Sequence, residues 1–265
     1  MTAEEYLKKG DLKAALQLLQ EQVRAQPEKA EYRVFLFQLL AVMGQWERAL
    51  TQLNVAAELD AATLAMVAMY RQVIACERFR EDVFLGRQDP VVFGKPEEWV
   101  ALLLSALKLT AQGEYAKSQE LRNQALELAP AVSGKIDGTE FEWLADSDVR
   151  LGPVLEAMVE GRYLWVPIQN IASIDIDQPV DLRDVVWLSA HFTWINGGES
   201  YGVMPGRYPS SYDNDDPLLA LSRKTIWEDC GNELFLGLGQ KLLTTEITDY
   251  PLLDVRSIQF DTTVE

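Results

Sequence analysis

The sequence predicts a multidomain α+β protein: an array of helical hairpins followed by a mostly-β domain, a curled sheet or small barrel. Two observations predict it. Glycine-led segments recur about 34 residues apart in the first half, the length of two antiparallel helices. Beyond Pro130 the hydrophobic period falls from 3.6 to 2, the period of half-buried strands. The expected division is residues 1–130 helical, 131–145 a linker and 146–265 β. Everything before Pro130 is expected to be helical, with no sheet drawing strands from both parts.

The repeat is clearest at Gly44-Gln45-Trp46-Glu47-Arg48-Ala49-Leu50. The same grammar stands earlier as Gly10-Asp11-Leu12-Lys13-Ala14-Ala15-Leu16, and its opening returns as Gly113-Glu114-Tyr115. Glycine ends a first helix where the chain must reverse. A small residue five places on (Ala15, Ala49, Ser118) lets the two helices approach closely. Pro27 and Pro130 follow the second helices, where no helical N–H is wanted. The array is therefore tetratricopeptide (TPR)-like, which gives a scaffold rather than a reaction.

In order, Thr2–Lys9 pairs with Asp11–Gln26, where Leu12, Leu16, Leu19 and Val23 keep helical spacing. Ala30–Met43 pairs with Trp46–Leu59, and Pro96–Ala111 with Tyr115–Leu128. Between them lies a blurred unit from Ala62, helical through Leu64, Val67, Met69, Val73 and Ile74. It carries Arg78 where the glycine is due and breaks at Gly86, Pro90, Gly94 and Pro96. One helix face per repeat lines the concave side of such arrays. Here those faces are Glu31, Val34, Gln38 and Ala41, then Val100, Leu103, Leu107 and Thr110. The 3-4-3 spacing puts each set on one stripe, either a groove or plain inter-helix core.

After Pro130, Ser133-Gly134-Lys135-Ile136-Asp137-Gly138 reads as a loop. Val154–Val159 and Arg162–Val166 read as a hairpin about Glu160-Gly161. Val186, Leu188, Ala190, Phe192 and Trp194 alternate with Trp187, Ser189, His191 and Thr193. Asn196-Gly197-Gly198 then turns that strand back into Glu199–Met204. Later strands are expected at Thr225–Trp227, Lys241–Ile247 and Val255–Phe260.

Composition narrows the class. Hydrophobic residues make up 48% and charged residues 25%, the proportions of a soluble globular chain. No apolar run is long enough to span a bilayer, and the acidic start Met1-Thr2-Ala3-Glu4-Glu5 is unlike a signal peptide; the expected location is the cytoplasm. A net charge of −17 opposes nucleic acid and anionic membranes. It suits a neutral or basic peptide partner, and equally plain solubility. Cys76 and Cys230 stand apart and read as reduced and structural.

Four stretches invite a chemical reading. Gly198-Glu199-Ser200-Tyr201-Gly202 has the spacing of a serine-hydrolase elbow. That elbow needs a following helix and a later histidine, whereas Met204-Pro205-Gly206 follows and the only histidine, His191, comes first. Gly237-Leu238-Gly239 lacks the third glycine of a dinucleotide loop. Asp213-Asn214-Asp215-Asp216 lacks the glycine and distal glutamate of a calcium loop. Arg207, Arg223 and Lys224 concentrate positive charge, to receive a partner's carboxylate or to pair with the acidic loop nearby. No catalytic, metal or cofactor residue is assigned.

Six segments carry a family resemblance. They are Arg150-Leu151-Gly152-Pro153-Val154-Leu155-Glu156, Gly161-Arg162-Tyr163-Leu164-Trp165-Val166-Pro167 and Asp181-Leu182-Arg183-Asp184-Val185-Val186-Trp187. With them stand Pro205-Gly206-Arg207-Tyr208-Pro209, Arg223-Lys224-Thr225-Ile226-Trp227 and Tyr250-Pro251-Leu252-Leu253-Asp254-Val255-Arg256. In this order, behind a TPR-like half, they resemble the ImpE family, also called TagJ or SciE. The resemblance implies a cytoplasmic accessory protein of the bacterial type VI secretion system, without enzymatic activity. It also implies binding of the small contractile-sheath subunit through that subunit's N-terminal helix, and a link to the AAA+ ATPase that recycles the sheath. It transfers no binding residues. The residues themselves nominate Val34, Gln38, Leu103 and Leu107 as a groove for an amphipathic helix, with Arg207 as the β-domain candidate. The competing class is an enzyme with an unrecognised site in the β domain and the repeats as a targeting arm. A β-domain pocket of polar groups with strongly shifted pKa values separates the two.

Overall fold

Gly44, at φ 66°, shows how the first half is punctuated: it turns the chain out of one helix and into the next. In the computed structural model, which describes residues 1–95 and 97–262, Gly10 and Gly113 do the same. Helices α1 (Ala3–Lys8), α2 (Leu12–Ala25), α3 (Ala30–Val42) and α4 (Trp46–Leu59) form two packed pairs. A capping box between Thr2 and Glu5 starts α1, and the Asp11 side chain caps α2. Ala15 and Ala49 have no exposed surface, as their place at a close helix approach requires.

The blurred unit departs from the pattern. It is one 21-residue helix, α5 (Leu64–Phe84), running straight through Arg78. With no glycine there, nothing reverses the chain, and Arg78 instead reaches across to Glu47 at 2.7 Å. Strand β1 (Val91–Val92) follows, then α6 (Glu98–Ala111) and α7 (Tyr115–Leu128), a packed pair again with buried Ser118 between them. The expected start of this pair at Pro96 lies outside the described residues.

The second half holds β2 (Gly134–Ile136), β3 (Thr139–Phe141), β4 (Leu144–Asp146), β5 (Val154–Val159), β6 (Arg162–Pro167) and β7 (Ile171–Ile176). It continues with β8 (Trp187–Trp194), β9 (Glu199–Pro205), the short α8 (Pro217–Ala220), β10 (Thr225–Asp229) and β11 (Phe235–Gly239). The last strands are β12 (Leu242–Thr245), β13 (Asp249–Pro251) and β14 (Ser257–Phe260). Nine strands make one sheet in the order β1-β6-β5-β9-β8-β7-β14-β2-β3; β13-β12-β4 and β10-β11 form two smaller ones. Among the described residues the large sheet ends in open edges at β1 and β3, so the expected alternative of a small closed barrel is not what forms.

Two further expectations are corrected, and three strands go beyond them. The segment 131–145 contains three strands and is not a loop: Asp137 and Gly138, at φ 48° and 84°, make the tight turn of a β2–β3 hairpin. The stretch before Pro130 is not all helical. Val91 and Val92 pair in parallel with Leu164 and Trp165, so one sheet takes strands from both halves. Strands β7, β11 and β13 carried no clear period-two signal. In β7 a register irregularity between Ile171 and Ser173 breaks the alternation that Ile174 and Ile176 resume.

The sheet has two buried faces. One packs on the helices: Met158, Tyr163, Trp165, Trp187 and Val203 share a single core with Phe37, Trp46, Tyr70, Val73 and Val83. Trp187 lies 5.8 Å from the rings of both Trp46 and Tyr70. The opposite face carries Leu155, Leu164, Val166, Phe192 and Ile258, in a second core with Leu243 and Leu252. No described helix is long and apolar enough to cross a membrane.

Candidate partner-binding site

Helix α3 leaves a strip uncovered by its hairpin partner, because its N-terminal half faces α1 and a loop from the β half. That strip, with Val34, Phe35 and Gln38, meets Leu7 of α1 and the Val180–Leu182 segment around a groove of about 480 Å³. Gln38 is only 6% exposed, and its side-chain oxygen accepts the Leu182 N–H at 3.1 Å. The loop is fixed again by Asp184, which accepts the Val180 and Asp181 N–H groups at 2.8 and 2.7 Å. Val180, on this hydrogen-bonded support, is 89% exposed. Glu4, Glu31, Asp60 and Asp181 rim the groove against Lys8 and Arg223, so its charge is net acidic.

The structure brings Val34 and Gln38 together here but not the rest of the stripe. Leu103 and Leu107 are 1% and 3% exposed inside the core. Their helical spacing marks an inter-helix face. Val180 was not nominated from the sequence. Its signal was a lone apolar residue in Asp177-Gln178-Pro179-Val180-Asp181.

Arg207 is buried as well, at 2% exposure. One guanidinium nitrogen donates to the carbonyls of Val42 and Ala220, both at 2.6 Å, and the other to Ala41 at 2.9 Å. Ala41 and Val42 end α3, where carbonyls lack helical partners and the dipole favours a cation. Burial pulls the Arg207 pKa down to about 10. Arg223 treats α1 likewise, donating to the Leu7 and Lys8 carbonyls at 2.8 and 3.2 Å. Only Lys224 pairs with the acidic loop, at 3.0 Å from Asp216. Two arginines of the β half thus cap two helices of the helical half; Arg207 is enclosed, whereas Arg223 also stands on the rim of the groove.

Strongly shifted groups do occur in the β half. Glu77 and Arg80 of α5 face the sheet, where Arg80 binds Glu77 at 2.8 Å and Glu156 at 2.5 Å. Lys241 bridges Glu156, at 2.7 Å, to Asp146. Burial opposes ionisation of Glu156, but Arg80 and Lys241 outweigh it and hold the carboxyl well below the usual range. Burial and the Glu156 charge raise the Tyr163 phenol. These side chains are at most about 5% exposed and spend their charges on one another. They make a paired core, not a reactive cleft.

The motifs resolve structurally. Ser200 lies mid-strand in β9, where its hydroxyl accepts the Trp194 indole N–H at 3.0 Å. It pairs in register with Phe192 while His191 pairs with Tyr201, so Ser200 and His191 point to opposite faces of the sheet. Gly237 sits in β11 because a side chain there would strike the Tyr208 ring. Asp216 caps α8 through the Leu218 N–H. Burial pushes the Cys76 thiol up to about 11, the reverse of a nucleophile's tuning.

Comparison with known proteins follows the same lines. A family model described as ImpE protein matches residues 138–259. The Type VI secretion system accessory component TagJ of Pseudomonas aeruginosa is 50% identical over 263 residues, covering 99% of this chain and 92% of that protein. The crystal structure of protein VPA1032 from Vibrio parahaemolyticus superposes with a TM-score of 0.89 at 29% identity, over 97% of each chain. An identity of 50% across almost the whole length, with the ImpE match over the β half, establishes that the chain belongs to the ImpE family, together with TagJ.

Proposed function

We propose that the protein is a non-catalytic, cytoplasmic accessory component of a type VI secretion system that holds the N-terminal helix of the small sheath subunit. The TPR-like hairpins then serve as the receiving scaffold, and a sheath-recycling AAA+ ATPase is the second partner it links. The accessory role follows the name of the 50%-identical relative TagJ. The observation that carries the binding mode is the groove between α1, α3 and the Val180–Leu182 loop. Its apolar walls and acidic rim suit an amphipathic helix with basic flanks, and Val180 offers an apolar contact at its edge.

Titrating a synthetic N-terminal peptide of a small sheath subunit by calorimetry tests this. Burying a valine contributes about 1.5 kcal/mol, so Val180→Ala should weaken binding by about tenfold. Val180→Asp should weaken it further while leaving the circular dichroism spectrum unchanged. Failure of the unaltered protein to bind the peptide, or equal affinity in all three proteins, overturns the assignment.

A further inference from the structure

Helix α5 does not cover the whole helix-facing side of the sheet. Strand β8 places Trp187, Ser189, His191 and Thr193 on that side, and Trp187 alone of these is fully enclosed. Where the helix layer stops, a step opens into a cavity of about 460 Å³ between α5 and strands β5, β8 and β9. Its floor is apolar and pliant: Met69, Val73 and Cys76 from the helix, Met158 from the sheet. Methionine lines surfaces that accept varied apolar side chains.

The rim has the opposite character. Glu160 and Asp177 border the cavity, and Asp175 and Glu199 flank His191 at 4.0 and 3.3 Å. Of these four carboxylates only Glu160 has an arginine or lysine within ion-pair distance among the described residues, Arg162 at 3.3 Å. Tyr201 stands 78% exposed beside them, its ring stacked 4.4 Å from the His191 imidazole. A large aromatic this exposed, beside carboxylates of which three have no arginine or lysine partner among the described residues and above an apolar floor, is complementary to a cation on an aliphatic stem.

We propose that this cavity is a second docking site, separate from the α1–α3 groove, and that it takes a short basic segment of a protein partner. An aliphatic side chain of that segment lies on the Met69–Val73–Met158 floor. A neighbouring arginine or lysine sits over Tyr201 and against Asp177 and Glu199. Cation–π attraction at an exposed ring, the charge of the rim carboxylates and floor burial act together. The stems of long cationic side chains are themselves suited to apolar walls. With both surfaces on one chain, two different partners can be held at once.

The two floor methionines report on the site directly. The full-length protein, labelled with ¹³C at its methionine methyl groups, is titrated with a capped Arg-Leu-Arg-Leu-Arg peptide and with its Glu-Leu-Glu-Leu-Glu counterpart. The basic peptide should move the Met69 and Met158 resonances to saturation, and the acidic one should leave them in place. Tyr201→Ser should weaken the binding by about threefold to fivefold. Asp177→Asn with Glu199→Gln should weaken it further and flatten its salt dependence. All these positions are exposed or at the rim, so the fold is kept. Absence of shifts, equal shifts with both peptides, or shifts indifferent to the substitutions overturns the proposal. Shifts that grow with protein concentration without peptide assign the cavity to a second copy of the chain and overturn it too.

Discussion

Replacing Arg207 by methionine separates a structural arginine from a docking one. Methionine fills similar space but donates nothing, so the carbonyls of Ala41, Val42 and Ala220 lose their common donor. A buried acceptor left unpaired costs about 1–3 kcal/mol, hence about 2–6 kcal/mol for Val42 and Ala220 together, since the Ala41 carbonyl keeps the Gly44 N–H at 3.1 Å. Against this, holding the charge has its own cost. Burial lowers the Arg207 pKa from 12.5 to about 10, which corresponds to about 3 kcal/mol that an uncharged side chain recovers. The expected net effect is about −1 to 3 kcal/mol, centred on a loss near 1. Urea unfolding followed by tryptophan fluorescence reads it, since Trp46 and Trp187 meet at this junction. The midpoint should fall with little change in slope. Arg207→Lys should recover part of the loss, because one ammonium cannot fork to three carbonyls. An unchanged midpoint combined with lost binding of the sheath peptide would refute the reasoning and return Arg207 to the surface it was first assigned.

Leu103→Ala, at a 1%-exposed core position, should lower stability by about 2–5 kcal/mol and leave peptide affinity of the folded protein unaltered; a selective loss of affinity would restore Leu103 to a groove. Glu156→Gln should cost about 3–5 kcal/mol at neutral pH, because Arg80 and Lys241 lose their shared anion. The folded pKa of Glu156 is depressed below 4.5, so its stabilisation is complete above that value and fades as pH falls towards the depressed one. The gap between the two proteins in acid denaturation should therefore narrow below pH 4.5, and a gap that widens there contradicts the pairing.

The parts of the fold legible in the sequence are those specified locally. The β5–β6 and β8–β9 hairpins announce themselves through Glu160-Gly161 and Asn196-Gly197 between apolar-rich segments, and the structure pairs them in register. The helix pairs announce themselves through Gly10, Gly44 and Gly113. Strands of two or three residues, such as β1 and β2, are too short to show a period. Other features depend on distant groups. The period at Leu103 and Leu107 marks a buried face without saying what covers it. Arg207 reads as surplus charge because its acceptors are main-chain carbonyls, two of them about 165 residues away, which no sequence letter marks. Glu77 and Arg80 look like the solvated side of an ordinary helix until the sheet supplies Glu156 and Trp187.

Strand β14, the last described element, is an interior strand, bonded to β7 on one side and β2 on the other. The β2–β3 hairpin joins the large sheet only through it. During synthesis, a chain with β14 still to emerge therefore has a gap in the middle of its sheet, with the edges of β7 and β2 unpaired. Such edges are templates for other strands, so the nascent protein is exposed to misassembly until β14 has emerged and paired. Removing residues 257–262 should recreate that state permanently, detaching the hairpin and yielding an aggregating protein instead of a shortened functional one.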